Sequence, residues 1–383
     1  MADPADRSSQ DTYDLVIVGA SFAGLTCARA AALRGLSVLV IEAKDDPGAR
    51  IHTTGILVKE AAEELDVPAS LTRPVHGVRL YSPNLKFVDL FSPGYYFLTT
   101  RTGDLMRWLA DEAERAGATI KCRTRFTGAT RNGDLFELTK IGIACRYLVG
   151  ADGARSSVAA FFNLGKNTRF LVGMEAEYKK LGGFDDRFLH CFLDSKIAPG
   201  YISWAAPAPD AIQIGLATKA SHKPDLNRFR QHTENLFTYD DSHIVEKRSG
   251  VIPCGGLVRP YANKGVLLIG DAAGLVSPLS AGGIQLAFRF GKRAGQAIAD
   301  HLTRFGPPPE NVLEKLLPKF AKKQVLRNLL DLTPPNFLYN ALLTTPPMQK
   351  FARHVYFHKR LSKDIKLEDF TARLPTRDET TSA

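Results

Sequence analysis

Residues 14–42, DLVIVGASFAGLTCARAAALRGLSVLVIE, decide the architecture of this chain. The apolar run Leu15 to Val18 stops at Gly19 and reads as a buried parallel strand. An alanine-rich stretch from Ala23 to Leu33 has helical length and closes on Arg34-Gly35 as a C-cap. A second apolar run, Val38 to Ile41, ends on Glu42. Together these form a βαβ unit. Gly19, Ser21 and Gly24 hold the three glycine positions of G-x-G-x-x-G, with serine in place of the middle glycine. The first position permits the tight turn, the second admits a pyrophosphate close to the backbone, and the third lets the helix pack on the strand. The helix start at Phe22 and Ala23 presents free N–H groups and a positive dipole end to phosphate. Glu42, 18 residues beyond Gly24, is spaced to accept hydrogen bonds from a ribose 2′-hydroxyl. The glycine pattern alone could be a plain strand-to-helix turn, but with both strands and Glu42 it is expected to bind a dinucleotide.

Two later stretches extend this reading. Residues 145–158, CRYLVGADGARSSV, are a strand followed by Asp152-Gly153, and residues 264–291, KGVLLIGDAAGLVSPLSAGGIQLAFRFG, are a strand (Val266 to Ile269) stopping at Gly270-Asp271. Either alone could be a strand-ending Asp-Gly turn. With the first motif, in this order and spacing, they resemble the three fingerprints of the FAD-dependent enzymes typified by para-hydroxybenzoate hydroxylase and geranylgeranyl reductase. The resemblance covers roughly residues 14–301.

It implies FAD in the first site, with Asp271 on the ribityl chain and the Asp152-Gly153 motif closing over the pyrophosphate side. It also implies that Pro278 and Gly282-Gly283-Ile284, ahead of a helix-forming run, aim N–H groups at the flavin ring, where they would stabilise negative charge on the reduced isoalloxazine. Arg50 and Arg101 are carried over as flavin contacts, Arg101 opening a helix from Thr102 to Ala116; either could equally be a solvated surface arginine.

The implied fold is α/β: a Rossmann-like FAD-binding domain (11–75, 100–165 and 251–305) interrupted by a mainly antiparallel β-sheet substrate domain (76–99 and 166–250). A helical, basic C-terminal region (306–370) and flexible termini (1–10 and 371–383) complete the expected organisation. Short strands at Val78 to Tyr81, Phe87 to Leu90, Phe188 to Leu193 and Ile212 to Ala217, separated by Pro, Gly and Asn turns, should roof the flavin. Asn132-Gly133 marks a hairpin within the flavin domain.

On the substrate side, residues 198–207, APGYISWAAP, resemble the Tyr-x-Trp-x-Phe-Pro segment lining the isoprenoid pocket of geranylgeranyl reductases. Tyr201 and Trp204 stand one residue further apart than in that pattern, and Ala206 replaces its Phe, which would open the pocket. A strand whose aromatics merely pack in the core remains the alternative. Many of those reductases carry a cysteine in the loop after the second strand; here that loop is RIHTTGI (50–56), with His52 as its titratable group. Cys254 reads as a buried, inert thiol.

Gly274, where aromatic hydroxylases of the superfamily place His, and the SPLSAGGIQLAFRFG run point to the reductase branch. The expected activity is reduction of carbon–carbon double bonds in an isoprenoid or other hydrophobic substrate by hydride from reduced flavin. NAD(P)H or an electron-donor protein would reduce the flavin, although no second nucleotide motif is present. A flavin monooxygenase using NAD(P)H and oxygen is the alternative, and a non-catalytic prenyl-binding escort protein a third. No catalytic acid–base pair stands out, as expected where the cofactor carries the hard step.

Composition agrees with an ordinary globular protein: 383 residues, 44% hydrophobic and 23% charged. Five scattered cysteines without a C-x-x-C pair argue against a zinc site or a disulfide framework. Without a long apolar run or a secretory signal at residues 1–10, a cytoplasmic protein is expected. Of the net +10, most is local: residues 311–366 hold eleven basic side chains, among them Lys315, Lys319, Lys322, Lys323, Arg327, Lys350, Arg353, Lys359, Arg360, Lys363 and Lys366, against three acidic ones. Between Val312 and Leu330 apolar residues fall at helical spacing, with Pro318 as a kink. Basic heads beside apolar stems suit either peripheral contact with the anionic inner face of a membrane or a helical cap with a solvated outside. Nucleic acid is not expected, since nothing resembles a recognition module.

Overall fold

The computed structural model describes residues 11–357. The expectations for residues 1–10, for the basic side chains of Lys359, Arg360, Lys363 and Lys366, and for residues 371–383 lie outside the described residues.

The strand Asp11–Val18 runs parallel between Val38–Ile41 and Ile143–Gly150, with Leu15 opposite both Val38 and Tyr147. Val266–Leu268 adds a further parallel strand beyond Ile143–Gly150, and Thr119–Lys121 one beyond Val38–Ile41. These strands are near-continuous apolar runs because a parallel sheet is covered on both faces; Leu15, Val16 and Ile17 have no exposed surface. At about 1.5–3 kcal/mol per buried side chain, these residues contribute heavily to the core. One consequence sets up the site. The three motif strands are neighbours in the register Val18–Gly150–Leu268, so Gly19, Asp152 and Asp271 all emerge at the same edge of the sheet.

Two helices cover this sheet and deliver their N-termini to that edge. Phe22–Ala32 is capped by the Ser21 hydroxyl, which accepts from the Gly24 N–H at 3.1 Å. Ile284–Arg304 packs along it through two glycines four residues apart. A β-carbon on Gly291 would lie 2.5 Å from the Ala23 carbonyl oxygen, and one on Gly295 would lie 2.3 Å from that of Cys27. Only glycine allows so close an approach. The hairpin expected at Asn132-Gly133 joins Ala129–Asn132 to Leu135–Leu138 and extends the same sheet.

A second, seven-stranded sheet has the order Ile244–Pro253, Phe170–Tyr178, Ile212–Lys219, Ser203–Pro207, Phe188–Phe192, Gly77–Tyr81, Phe87–Phe91. All its pairs are antiparallel except Phe188–Phe192 with Gly77–Tyr81. The residues between 76 and 99 do not all join it. Phe97–Thr100 pairs instead with Ile56–Val58 and Thr72–Val75 in a small separate sheet, so the expected boundaries at 75 and 99 cut through that sheet.

The C-terminal region is helical, as expected, but Pro318 does not kink one long helix. It lies in a break between Pro309–Glu314 and Ala321–Asp331, because proline lacks the N–H a continuing helix needs. Asn336–Leu342 and Pro346–Tyr356 follow, each entered through a Pro-containing turn. Arg327, wholly buried, fastens this region to the second sheet: its guanidinium donates to the Gly200 carbonyl and pairs with Asp331 at 2.7 Å. Among the described residues no helix is long and apolar enough to cross a membrane.

Candidate functional site

A cavity of about 1970 Å³ begins at the strand ends of the first sheet, passes beneath the second sheet and ends among the C-terminal helices. At its polar end the three motifs meet. Gly19 is in the left-handed region (φ +104°), and a β-carbon there would collide with the Ala151 carbonyl oxygen at 2.6 Å. The Asp152 loop therefore lies directly on the glycine turn, which fixes both. Gly24 performs the third glycine's task without lining the cavity: a β-carbon on it would strike the Gly19 carbonyl oxygen at 2.1 Å.

Glu42 lines the cavity with its carboxylate already oriented. Its Oε2 accepts from the Ala20 N–H and its Oε1 from the Lys44 N–H, both at 2.8 Å. Each oxygen keeps a lone pair for a ribose hydroxyl. Asp152 lines the same end of the cavity. Its carboxylate turns onto the next helix, accepting from Ser156 Oγ, Ser157 N, Ser157 Oγ and Val158 N at 2.6–3.1 Å. The group thus holds the loop, which lines the cavity through Asp152, Gly153, Ala154 and Arg155.

Asp271 supplies what Asp152 does not. No protein donor among the described residues reaches its carboxylate, and desolvation raises its pKa to about 6. A carboxylate left unpaired inside a cavity destabilises the empty site unless a ligand brings hydroxyl donors. A flexible polyol meets that requirement. Gly282, Gly283 and Ile284 line the cavity beside it, where the first N–H groups of the helix Ile284–Arg304 have no acceptor within the helix. Pro278 is buried behind this loop and does not line the cavity.

The two arginines part company. Arg50 lines the cavity, in a strained backbone conformation (φ +48°) and paired weakly with Asp45 at 3.7 Å. Arg101 does not line it. Its guanidinium donates to the Ser70 carbonyl at 2.6 Å and pairs with Asp210 on the surface, which corrects its assignment as a flavin contact.

Tyr201, Trp204 and His52 all line the cavity, and each ties two parts of the molecule together. The Tyr201 hydroxyl donates to the Ser280 carbonyl at 2.6 Å, joining the second sheet to the loop before Gly282. His52 Nδ1 lies 2.8 Å from the Ser249 carbonyl oxygen, joining the 50–56 loop to the edge strand. Trp204 lies flat over Gly215, and its Nε1 donates to Glu175 Oε2 at 2.7 Å.

That last contact exposes a group the sequence reading missed. The Glu175 carboxylate, buried and cavity-lining, also accepts from Thr54 Oγ1 at 2.7 Å and from Arg248 at 2.5 and 2.8 Å. Arg248 in turn reaches Glu177 at 2.6 Å. The detectable signal was the pair of carboxylates in the otherwise apolar strand Phe170–Tyr178, answered by Arg248 in the strand that pairs with it, where Glu175 and Arg248 are direct partners.

Beyond Trp204 the cavity becomes apolar. Leu189, Leu193, Ile202, Ala206, Leu326, Leu330, Met348, Phe351 and Val355 line it. Cys191 and Tyr356 also face it, hydrogen-bonded to each other; burial lifts the thiol to about 11 and pushes the phenol well above its ordinary range. His190 is held neutral, its pKa lowered to about 4 by burial, with Nε2 on the Asp185 carbonyl and Nδ1 facing the Tyr81 hydroxyl. Cys254 is buried with a raised pKa, and all five cysteines are free thiols.

Known proteins resemble this chain in sequence or in fold. Digeranylgeranylglycerophospholipid reductase 1 of Methanothermobacter thermautotrophicus is 30% identical over 306 residues, 75% of this chain and 77% of that protein. The corresponding reductase of Methanocaldococcus jannaschii is 27% identical over 305 residues, 76% of this chain and 78% of its own length. A solved geranylgeranyl bacteriochlorophyll reductase-like protein from Thermoplasma acidophilum superposes with a TM-score of 0.76 at 20% identity, covering 91% of this chain and 98% of the other. The family model described as FAD binding domain matches residues 12–308, the whole span from the first motif strand through the long helix behind Asp271. A glycine turn, an oriented Glu42 and an unpaired Asp271 at one sheet edge are the features that cofactor requires, and the chain belongs to the FAD binding domain family, with FAD as its cofactor.

Proposed function

We propose that this protein reduces carbon–carbon double bonds of an isoprenoid lipid. The observation that carries this reading is the continuity of the cavity: the polar half that fits FAD runs on, past Trp204, into a long apolar half closed by the C-terminal helices. Reductases of geranylgeranylated phospholipids among its relatives support the same substrate class.

Phe22 and Ala23 at the first helix N-terminus would hold the cofactor's phosphates, Glu42 its ribose, Asp271 its ribityl chain and the Gly282–Ile284 N–H groups its flavin ring. When bound and reduced, FAD supplies a hydride donor. The chain's own part is to exclude water and to align the alkene. The side chains of Leu189, Ile202 and Val355 offer a polyprenyl chain apolar contact, and Trp204, locked by Glu175, forms a rigid wall for it. Among the proton-bearing groups that line it are Cys191 Sγ and Tyr356 Oη, both neutral at physiological pH.

The lipid is collected from a membrane surface. Val325, Leu329, Leu332, Phe337 and Leu342 are 47–76% exposed on the C-terminal helices, beside basic side chains such as Lys322 and Lys350. That combination suits an anionic bilayer, at about 1 kcal/mol per basic residue near the surface. Reducing equivalents come from NAD(P)H or an electron-donor protein.

The test is to reduce the protein chemically without oxygen and to add polyprenyl lipids while following flavin absorbance. Reoxidation by a lipid before air enters is the expected result. Reoxidation only on admitting air overturns the reading in favour of a monooxygenase.

A further inference from the structure

The second sheet aligns one row of side chains across its cavity face. Leu80, Cys191, Trp204, Gly215, Glu175 and Arg248 stand in direct register, one from each successive strand. Residues opposite one another point to the same face, and all of these line the cavity except Gly215, which the Trp204 indole covers. The row changes character at Trp204. On one side Glu175 and Arg248 form the ion pair that reaches the 50–56 loop through Thr54. On the other stands Cys191, with Leu80 beside it and Leu189 and Leu193 two positions away along its own chain segment. The thiol therefore lies where the cavity passes from its cofactor half to its apolar half. Tyr356 reaches it from the helix Pro346–Tyr356. Burial pushes the thiol up to about 11, and the hydrogen bond that the Tyr356 hydroxyl donates to Sγ draws it back, leaving the S–H free for another acceptor. Neighbouring groups are otherwise engaged: the Tyr201 hydroxyl donates to the Ser280 carbonyl, His190 is bonded at both ring nitrogens, and the Glu175 carboxylate is paired with Arg248.

We propose that Cys191 is the catalytic proton donor of this cavity and that Tyr356 is the residue that positions it. This rests on the isoprenoid reading above and adds the second hydrogen of the reaction to it. The hydride brings one hydrogen and two electrons to one alkene carbon, the π bond breaks, and its electron pair takes the Cys191 S–H proton at the other carbon. The thiolate left behind is stabilised by the Tyr356 O–H and regains its proton from water once the saturated product has left. A weakly acidic thiol suffices because the carbon that accepts the proton carries the displaced π pair and is far more basic than a thiolate. A neutral donor also suits the place, since the apolar lining that holds a polyprenyl chain would penalise a permanently charged acid.

The test uses the FAD-loaded protein in neutral detergent with a digeranylgeranyl glycerophospholipid as probe. In C191A, anaerobic reoxidation of the reduced flavin by the lipid is expected to slow by about 100-fold or more, while C191S recovers about tenfold of that loss and Y356F slows by about tenfold. Lipid affinity and FAD content should stay within about twofold of the parent in all three, separating the chemical step from binding. A second measurement needs no turnover: methyl methanethiosulfonate is applied to the oxidised protein with and without the lipid, and modified cysteines are identified by mass spectrometry. The lipid should protect Cys191 and leave the more exposed Cys122 as reactive as before. Absence of protection at Cys191 overturns the proposal, because the thiol then does not meet the substrate. Reoxidation of C191A at the parent rate overturns it as well, and so does a loss of rate matched by an equal loss of lipid affinity, which would make Cys191 part of the wall only. These outcomes strike the proton donor alone, in a parent that the lipid reoxidises. A parent that the lipid does not reoxidise overturns the isoprenoid reading itself, and this assignment with it.

Discussion

Trp204 and Glu175 are joined by a 2.7 Å hydrogen bond from the indole N–H to a carboxylate that also holds Thr54 and Arg248. One carboxyl group therefore fixes a wall of the apolar cavity, a loop of the flavin-binding half and a buried arginine. Replacing it with the amide in Glu175→Gln keeps the shape but places a donor against donors, whichever way the amide turns. The expected cost is about 2–3 kcal/mol of stability, the penalty of a buried polar group left unmet. Denaturant unfolding measures that loss. Substrate KM should rise as well, because Trp204 loses its anchor, whereas FAD content should stay near that of the parent.

Gly291 and Gly295 predict a different phenotype. Each lies against a backbone carbonyl of the helix Phe22–Ala32, so Gly291→Ala must push apart the two helices whose N-termini open on the cofactor end. Overpacking of this kind costs about 1–3 kcal/mol. Here FAD affinity should fall together with the melting temperature. Flavin retained on gel filtration and differential scanning calorimetry report the two effects.

The hydrogen bond from Tyr201 to the Ser280 carbonyl yields a third prediction. Tyr201→Phe removes one neutral bond, worth about 1 kcal/mol. It also frees the loop from Ser277 to Gly283, whose backbone flanks the predicted flavin position. Faster proteolysis within residues 277–283 of the flavin-free variant is expected, and addition of FAD should narrow the difference.

How much of this could be read from the chain alone follows from sequence distance. The βαβ unit is local, so Gly19, Gly24 and Glu42 declared themselves through spacing, and the strands before Asp152 and Asp271 declared themselves as apolar runs. What side chains do once the chain is folded was less legible. Asp152 and Asp271 look alike as strand-ending Asp-Gly or Gly-Asp pairs, yet the first is consumed by Ser156 and Ser157 and the second is left open. The difference arises because two hydroxyl residues follow Asp152 at a helix start, whereas small apolar residues follow Asp271. Arg101 was misread for the converse reason: it does open a helix, but its partners Ser70 and Asp210 come from remote segments. The Glu175–Arg248 pair was hidden by a separation of 73 residues, and it becomes apparent only when the antiparallel register places the two side by side.

Asp271 carries the last prediction, in which binding and stability oppose each other. Its carboxyl pKa in the folded, flavin-free protein is raised to about 6 from 3.8, because desolvation disfavours the charged form. Between these two values the folded state binds more protons than the unfolded state, so this group makes stability fall as pH rises through the window. Below about pH 4 its effect vanishes, and above about pH 6 the full penalty is present, at most about 3 kcal/mol and smaller to the extent that cavity water screens the charge. Asp271→Ala should therefore strip FAD from the protein and yet make the flavin-free chain more stable than the flavin-free parent at pH 7.5, with the advantage shrinking to nothing by pH 4. Urea unfolding of both flavin-free proteins across pH 4–8 decides the matter. A variant that keeps its flavin, or a stability difference that does not change with pH, would show that the carboxylate is paired in solution and is not the open ligand that the cavity presents.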